Sequence, residues 1–223
     1  MKKLLLTVLL TLSVFTLTAC NNEEEEPFVH NVPEAGNVYL DNLGYYEYIN
    51  FTNPVVTITV KDIGQIELQL FEEVAPNTVY NFVQYIQNNA YENNQFHRVV
   101  TGFVIQGGRI ENAECKIRGE FDTNDFDNPL NHTRGVLSMA RTNDPNSASS
   151  QFFIAHQTNQ STASLDGKYA AFGGVVSGFN VLDYIANLQA EGSQEPQVEI
   201  IIENITIDLK GNDYPDPVCL PVE

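Results

Sequence analysis

The sequence predicts a mainly β domain in which an antiparallel sheet closes, or nearly closes, on itself and is capped by helices. Short apolar runs rich in β-branched and aromatic residues recur between Asn53 and Lys210, with turn residues between them. Only two stretches have helical periodicity, and we find no repeat of about 20 to 50 residues. Because closure removes exposed strand edges, a barrel is the favoured arrangement for so many strands.

A hairpin opens this domain. The run VVTITV (residues 55–60) is typical of a buried strand, and in GQIELQL (64–70) the residues Ile66, Leu68 and Leu70 alternate with polar ones. Six further strand-like runs follow: FHRVV (96–100), FVIQ (103–106), GVLSMA (135–140), QFFIAH (151–156), AAFGGVV (170–176) and VEIIIENITIDL (198–209).

Two segments have the apolar spacing of an amphipathic helix. In residues 76–90 the predicted buried face consists of Val79, Phe82, Val83 and Ile86. In the second segment it consists of Val181, Leu182, Ile185 and Leu188. We expect both faces to cover the sheet.

The N-terminal region is predicted to direct export. Lys2 and Lys3 precede an apolar run too short for a membrane span, which favours a signal peptide over residues 1–19. The sequence Leu-Thr-Ala-Cys ending at Cys20 resembles the lipobox of bacterial lipoproteins, so we expect a lipid anchor on Cys20. Ordinary cleavage after Ala19 is the alternative. The predicted location is the cell envelope, on the periplasmic side of the outer membrane if the source is Gram-negative.

Residues 20–52 are interpreted as an acidic linker and N-terminal extension, and residues 211–223 as a C-terminal tail around the domain at 53–210. The formal net charge is −18. Such a charge repels phosphate backbones and makes nucleic acid an unsuitable partner. The other two cysteines, Cys115 and Cys219, could form a disulfide in an oxidising compartment or stay separate thiols.

Several kinds of site are disfavoured. The four histidines have no i, i+4 pairing and no Cys-x-x-Cys accompanies them, so zinc is unsupported. The stretch DTNDFDNPL (122–130) lacks the central glycine and final glutamate of a calcium loop. Neither a P-loop nor a nucleophile elbow is present. We therefore expect no metal and no cofactor.

Four blocks carry a stronger signal: VAPNTVYNFVQYI (74–86), FHRVVTGFVIQGG (96–108), GVLSMARTNDPNSASSQFFIAH (135–156) and LDGKYAAFGGVVSGFNVLDYI (165–185). In order and spacing they resemble cyclophilin-type peptidyl-prolyl cis–trans isomerases, from about Asn53 to Lys210. The resemblance implies an eight-stranded antiparallel barrel closed at each end by a helix. It also implies Arg98 as the catalytic residue and a proline-binding groove formed by Phe103, Val104, Gln106, Ala140, Arg141, Gln151, Phe153, Leu165 and Tyr169.

These residue types suit the reaction. Rotation about an X-Pro bond makes and breaks no covalent bond, so the catalyst only has to bind the twisted amide better than the planar forms. A guanidinium aimed at the prolyl nitrogen does so, because that nitrogen regains a lone pair when conjugation is lost. Gln106 is expected to orient Arg98, and Gln151 to hold a substrate carbonyl. Since rotation needs no proton transfer, we expect His97 to be structural.

The chain also departs from the family pattern. It has no tryptophan, and Ser164 stands just before LDGK where the family commonly has Trp or Phe. Tyr169 replaces a frequent histidine and Val104 a longer methionine. These changes leave the expected role of Arg98 intact but predict weak binding of cyclosporin-like ligands.

The leading hypothesis is a monomeric, lipid-anchored isomerase that acts on proline-containing unfolded or exported polypeptides. A cyclophilin-fold binding module or holdase with little turnover is the alternative. A third hypothesis is a structural envelope protein acting through residues 21–53 and the C-terminal tail.

Overall fold

A computed structural model describes residues 30–36, 39–113 and 115–221. In that part of the chain the elements, in order, are β1 (Val55–Val60), β2 (Gly64–Leu70), α1 (Pro76–Gln87), β3 (Asn94–Val100), β4 (Val104–Gly107), β5 (Val136–Met139), β6 (Phe152–Ala155), α2 (Gln160–Ala163), β7 (Ala171–Ser177), α3 (Phe179–Ala186) and β8 (Ile201–Asp208). The predicted signal peptide, Cys20 and the glutamates at positions 23–26 of the acidic linker lie outside the described residues. No helix within the described ranges is long and apolar enough to cross a membrane.

The strands form a closed barrel in the order β1-β2-β7-β5-β6-β4-β3-β8, with every neighbouring pair antiparallel. The predicted hairpin is present, since β1 pairs with β2 and the turn between them brings Val60 opposite Gly64. Both strands bury alternate residues, as the apolar alternation requires. The predicted mainly β, eight-stranded barrel is therefore confirmed.

Helices α1 and α3 pack on the sheet through the apolar faces expected from the sequence. All four predicted residues of α1 are buried, and so are the four of the second segment, although Leu188 lies just beyond the end of α3. The N-cap residue of helix α3 is Gly178, which has a φ of 83°. A Cβ there would collide with the carbonyl oxygen of Gln65, so only glycine fits.

Helix α1 receives its N-terminal cap from a distant carboxylate. Pro76 occupies its first turn, and Ala75 at the cap position offers no side-chain oxygen. The buried carboxylate of Glu120 instead accepts hydrogen bonds from the backbone N–H groups of Asn77 (3.1 Å) and Thr78 (2.7 Å). It thereby satisfies N–H donors that have no partner within the helix, at the positive end of the helix dipole.

A third helix, α2, was not predicted. Its four residues lie in the polar stretch between β6 and the LDGK motif. Asn159 caps it by accepting from the N–H groups of Ser161 and Thr162, while the Thr162 Oγ1 accepts from the Asn159 N–H. This capping box sustains a turn that has almost no apolar periodicity to reveal it.

The N-terminal extension contributes to the core. Tyr45 lies between two 3-10 turns (Leu40–Asn42 and Tyr46–Tyr48) and is fully buried. Its hydroxyl donates to the Val175 carbonyl oxygen at 2.7 Å. A Cβ on Gly174 would collide with the Tyr45 ring, so the bare backbone of β7 makes room for it.

The C-terminal tail is held by a disulfide between Cys115 and Cys219, 104 positions apart. Hydrogen bonds support the same attachment: Asn77 exchanges two with the Val218 backbone (2.7 and 3.1 Å), and the Leu220 N–H donates to the Lys116 carbonyl at 2.7 Å. The tail thus lies along the start of α1 and the loop after β4.

Candidate functional site

Strand register places the central polar and aromatic residues in one row. Gln106 on β4 lies opposite Arg98 on β3 and, on its other side, opposite Phe153 on β6. Phe153 in turn lies opposite Ser138 on β5. Residues far apart in sequence therefore share one strip across four strands.

A pocket of about 250 Å³ lies over this strip. It is lined by Arg98, Phe103, Val104, Gln106, Ala140, Arg141, Phe153, Leu165 and Tyr169. Every residue predicted for the groove is in this set except Gln151. The residues that the family resemblance implied for the groove thus line one pocket, although they come from β3, β4, β6 and the connections around β5 and α2.

Gln151, which is half-buried, is bonded to residues of the pocket but is not itself among the lining residues. Its Oε1 accepts a hydrogen bond from Gln106 Nε2 at 3.1 Å, and its backbone carbonyl accepts from the Ala140 N–H at 2.9 Å. It therefore holds Gln106 and the end of β5 in place.

The floor of the pocket is an apolar cluster separate from the main core. Val104, Phe153 and Leu165 are buried to 8% exposure or less, and Phe103, Ala140 and Tyr169 pack against them half-buried. Phe153 and Tyr169 meet edge to face, with ring centroids 5.8 Å apart. The cluster forms a socket of a size and polarity suited to a small apolar ring.

Arg98 stands at the edge of this socket, half-buried. Its Nε donates to Gln194 Oε1 at 2.7 Å and its Nη1 to Gln106 Oε1 at 3.3 Å. Its guanidinium carbon lies 5.9 Å from the centre of the Phe103 ring. Burial lowers the pKa of Arg98, yet a guanidinium stays charged at neutral pH. No acceptor within the described part of the chain engages Nη2, so donors remain for a ligand.

Arg141, the other arginine of the pocket, is engaged differently. Its Nε and Nη2 donate to the Lys168 carbonyl (3.0 and 2.8 Å), and its Nη1 donates to the Thr142 carbonyl at 2.8 Å. The guanidinium lies over the rings of Phe121 (5.1 Å) and Tyr169 (4.5 Å). Arg141 therefore braces the pocket wall and is not poised like Arg98.

His132, which sequence reasoning did not select, supports the socket from behind. Its ring stacks on Phe153 with a centroid distance of 5.8 Å and an interplanar angle of 22°. Nδ1 lies 2.9 Å from Asp166 Oδ1 and Nε2 lies 3.0 Å from Ser138 Oγ. Burial lowers the pKa of His132, and the Asp166 carboxylate only partly opposes this shift. A neutral ring that donates from Nδ1 to Asp166 and accepts from Ser138 satisfies both contacts.

His97 is half-buried beside Arg98. Burial lowers its pKa, and the positive charges of Arg109 and Arg98 lower it further. It is therefore neutral at pH 7. Its structural role stays a prediction.

Ser164, which stands just before the LDGK motif, is not among the residues that line the pocket. It is exposed, and its hydroxyl donates to the Ser161 carbonyl at 2.6 Å. No group of three or more His, Cys, Asp or Glu side chains that could hold a metal ion occurs within residues 30–36, 39–113 and 115–221.

Comparisons with known proteins agree with this geometry. The family model described as cyclophilin type peptidyl-prolyl cis-trans isomerase/CLD matches residues 55–207. The peptidyl-prolyl cis-trans isomerase B of Escherichia coli is 40% identical over 154 residues, covering 65% of this chain and 94% of that protein. The peptidyl-prolyl cis-trans isomerase of Acinetobacter baylyi is 43% identical over 130 residues, covering 57% and 69%.

Solved structures give the same picture. The crystal structure of a cyclophilin type peptidyl-prolyl cis-trans isomerase of Cryptosporidium parvum superimposes with a TM-score of 0.61 at 30% identity, covering 70% of this chain and 97% of that one. The structure of the same protein in the presence of the dipeptide Ala-Pro gives a TM-score of 0.60, also at 30% identity, and covers 69% and 98%.

Proposed function

Because the chain belongs to the cyclophilin-type peptidyl-prolyl cis–trans isomerase family, we propose that it catalyses X-Pro rotation in exported polypeptides and that Arg98 stabilises the twisted amide. Peptidyl-prolyl isomerisation is the activity of the family. The role of Arg98, the exported clients and the lipid anchor are the parts that require tests.

The energetic problem is the loss of amide resonance. The barrier is about 18–20 kcal/mol, and the uncatalysed reaction at X-Pro takes tens to hundreds of seconds. As the bond twists, the prolyl nitrogen regains a lone pair that the planar forms lack. A fixed donor aimed at that nitrogen therefore stabilises the transition state more than the ground state.

The hydrogen bonding of the Arg98 guanidinium is the observation that carries the proposal. Two glutamine side chains hold its Nε and Nη1, while Nη2 is left for a ligand at the edge of an apolar socket. In such a partly desolvated place, a charged donor interacts more strongly than it would in water. Arg141, whose nitrogens are engaged by backbone carbonyls, lacks this freedom.

The socket supplies the other requirement, which is a fixed prolyl ring. Phe153, Leu165 and Val104 provide buried apolar walls, and Phe103 closes the side next to Arg98. Holding the ring while the preceding residue turns brings the nitrogen to one defined place. The related structure in the presence of the dipeptide Ala-Pro supports prolyl peptides as the class of ligand for this pocket.

The test is a proline-limited refolding reaction with the parent, Arg98→Ala and Arg109→Ala. Arg109 is an exposed arginine that does not line the pocket, so its variant controls for loss of positive charge. We expect Arg98→Ala to remove the acceleration and Arg109→Ala to retain it, with little change in thermal stability for either. Equal catalysis by all three proteins would refute the role of Arg98. Negligible activity in the parent, with protection of unfolded clients retained in Arg98→Ala, would instead indicate a holdase.

The exported context is supported by two features. The N-terminal sequence has the form of a lipoprotein signal, and the Cys115–Cys219 disulfide is a bond that persists in oxidising compartments. We expect the mature protein to start at a diacylated Cys20 and to fractionate with membranes. Cys20→Ser should abolish lipid attachment in intact-mass measurements; an unmodified N-terminus in the parent would contradict the anchor.

A further inference from the structure

The loop of residues 189–197, between α3 and β8, lies against strand β3 beside the pocket. Internal bonds fix its shape: the Ala190 N–H donates to the Glu195 carbonyl (2.9 Å), and Gln189 Nε2 donates to the Ser193 carbonyl (2.6 Å). The Gln197 N–H donates to the Leu188 carbonyl at 2.6 Å, which closes the loop at its base. The loop is thus an ordered element.

Two backbone N–H groups just after Arg98 in the chain dock this loop. The Val99 N–H donates to the Gln194 carbonyl at 2.7 Å, and the Thr101 N–H donates to Gln189 Oε1 at 2.8 Å. The Thr101 hydroxyl adds a bond to the Ala186 carbonyl at 2.7 Å. The backbone at Gln194 is therefore positioned independently of its side chain.

We propose that Gln194 is a positioning residue that sets the orientation of the Arg98 guanidinium for catalysis. Its Oε1 accepts from Nε at 2.7 Å, a shorter contact than the 3.3 Å between Gln106 and Nη1. Two acceptors on different nitrogens of a planar group fix its rotation as well as its place. The inference rests on the proposed role of Arg98 and assigns the loop to the same site.

The physical reason is preorganisation. A free arginine side chain occupies many rotamers, and a misplacement of about 1 Å costs on the order of 10²-fold in rate. Gln106 alone leaves Nε unrestrained. The 189–197 loop, which is not part of the four strands under the pocket, supplies the second restraint on the guanidinium.

The experiment compares the parent with Gln194→Ala, Gln194→Glu and the control Glu191→Gln. Glu191 is an exposed residue of the same loop. Its variant therefore tests the effect of a substitution in the loop that leaves the contact between Gln194 and Arg98 in place. For each protein, kcat/KM and the Kd of a prolyl peptide are measured, together with the hydrogen-exchange rate of the Arg98 Nε–H by nuclear magnetic resonance. That resonance is assigned by its absence in Arg98→Lys.

For Gln194→Ala we expect kcat/KM to fall about tenfold, or ~1.4 kcal/mol, with an unchanged peptide Kd. Exchange of the Arg98 Nε–H should accelerate by about tenfold or more, because its acceptor is gone. Gln194→Glu retains an acceptor oxygen at the same distance along the side chain. Its kcat/KM and its Arg98 Nε–H exchange rate should therefore lie within about threefold of the parent values. Glu191→Gln should resemble the parent.

Unchanged exchange in Gln194→Ala would overturn the contact, and faster exchange with full activity would overturn its positioning role. Either result, combined with inactivity of Arg98→Ala, refutes this inference and leaves the proposed function standing. Full activity of Arg98→Ala instead refutes the proposed function, whatever the exchange rate shows.

Discussion

Removing the disulfide between Cys115 and Cys219 should destabilise the protein strongly. The bond closes a loop with a sequence separation of 104. For a loop of about 100 residues, chain entropy predicts ~4.7 kcal/mol of stabilisation at 25 °C, because the unfolded chain loses that freedom. The folded state should persist without the bond, since Asn77 and the Lys116 carbonyl still hold the tail.

For a chain of this size, each kcal/mol shifts Tm by about 2–4 °C, so the expected loss is roughly 9–19 °C. The assay is a thermal scan of the parent, with and without reductant, beside the double variant Cys115→Ser/Cys219→Ser. The variant should have the same Tm as the reduced parent. Its Tm should not change with reductant, which controls for effects of reductant elsewhere. A difference below about 3 °C between oxidised and reduced parent, under ~1.5 kcal/mol, would refute the reasoning.

Three further predictions follow from buried or missing groups. Tyr45→Ala should cost about 3–5 kcal/mol in urea unfolding, because a fully buried ring and its bond to Val175 are lost; near-parent stability would show that the extension is dispensable. Burial lowers the pKa of His132, so as pH falls below about 6.5 this histidine takes up a proton in the unfolded chain before it does in the folded protein. The free energy of unfolding should therefore fall from pH 7 to pH 5, and fall less in His132→Gln. Equal decreases in both proteins would contradict this. Calorimetry should detect only weak binding of cyclosporin-like ligands, and Ser164→Trp should tighten it about tenfold by adding an aromatic ring just before the LDGK motif. Nanomolar affinity in the parent would contradict the expectation.

The barrel was predictable because its determinants are local. Alternation of Ile66, Leu68 and Leu70 fixes which face of β2 is buried, and the i, i+3, i+4, i+7 spacing fixes the inner face of α1. The pocket was predictable for a different reason. The motif blocks carry family resemblance, and that resemblance located Arg98 and Phe153 in one site even though 55 positions separate them along the chain.

What could not be predicted depends on long-range partners. Gln194 lies 96 positions from Arg98, in a loop with no periodicity, and His132 reaches Asp166 across 34 positions. Tyr45 enters the core from a segment that has no helix or strand pattern of its own. Propensity and periodicity describe neighbours in sequence, whereas these contacts exist only after the barrel has closed.

The role of Arg98 is tested most directly by its effect on the chemical step. The measurement is kcat/KM for isomerisation of a prolyl peptide by the parent and by Arg98→Ala, with thermal unfolding of both as the control for folding. A single donor to the transition state contributes about 3–4 kcal/mol, so we expect a loss of ~10²–10³-fold with Tm nearly unchanged. A loss of less than about threefold in a folded Arg98→Ala protein, worth only ~0.7 kcal/mol, would contradict it.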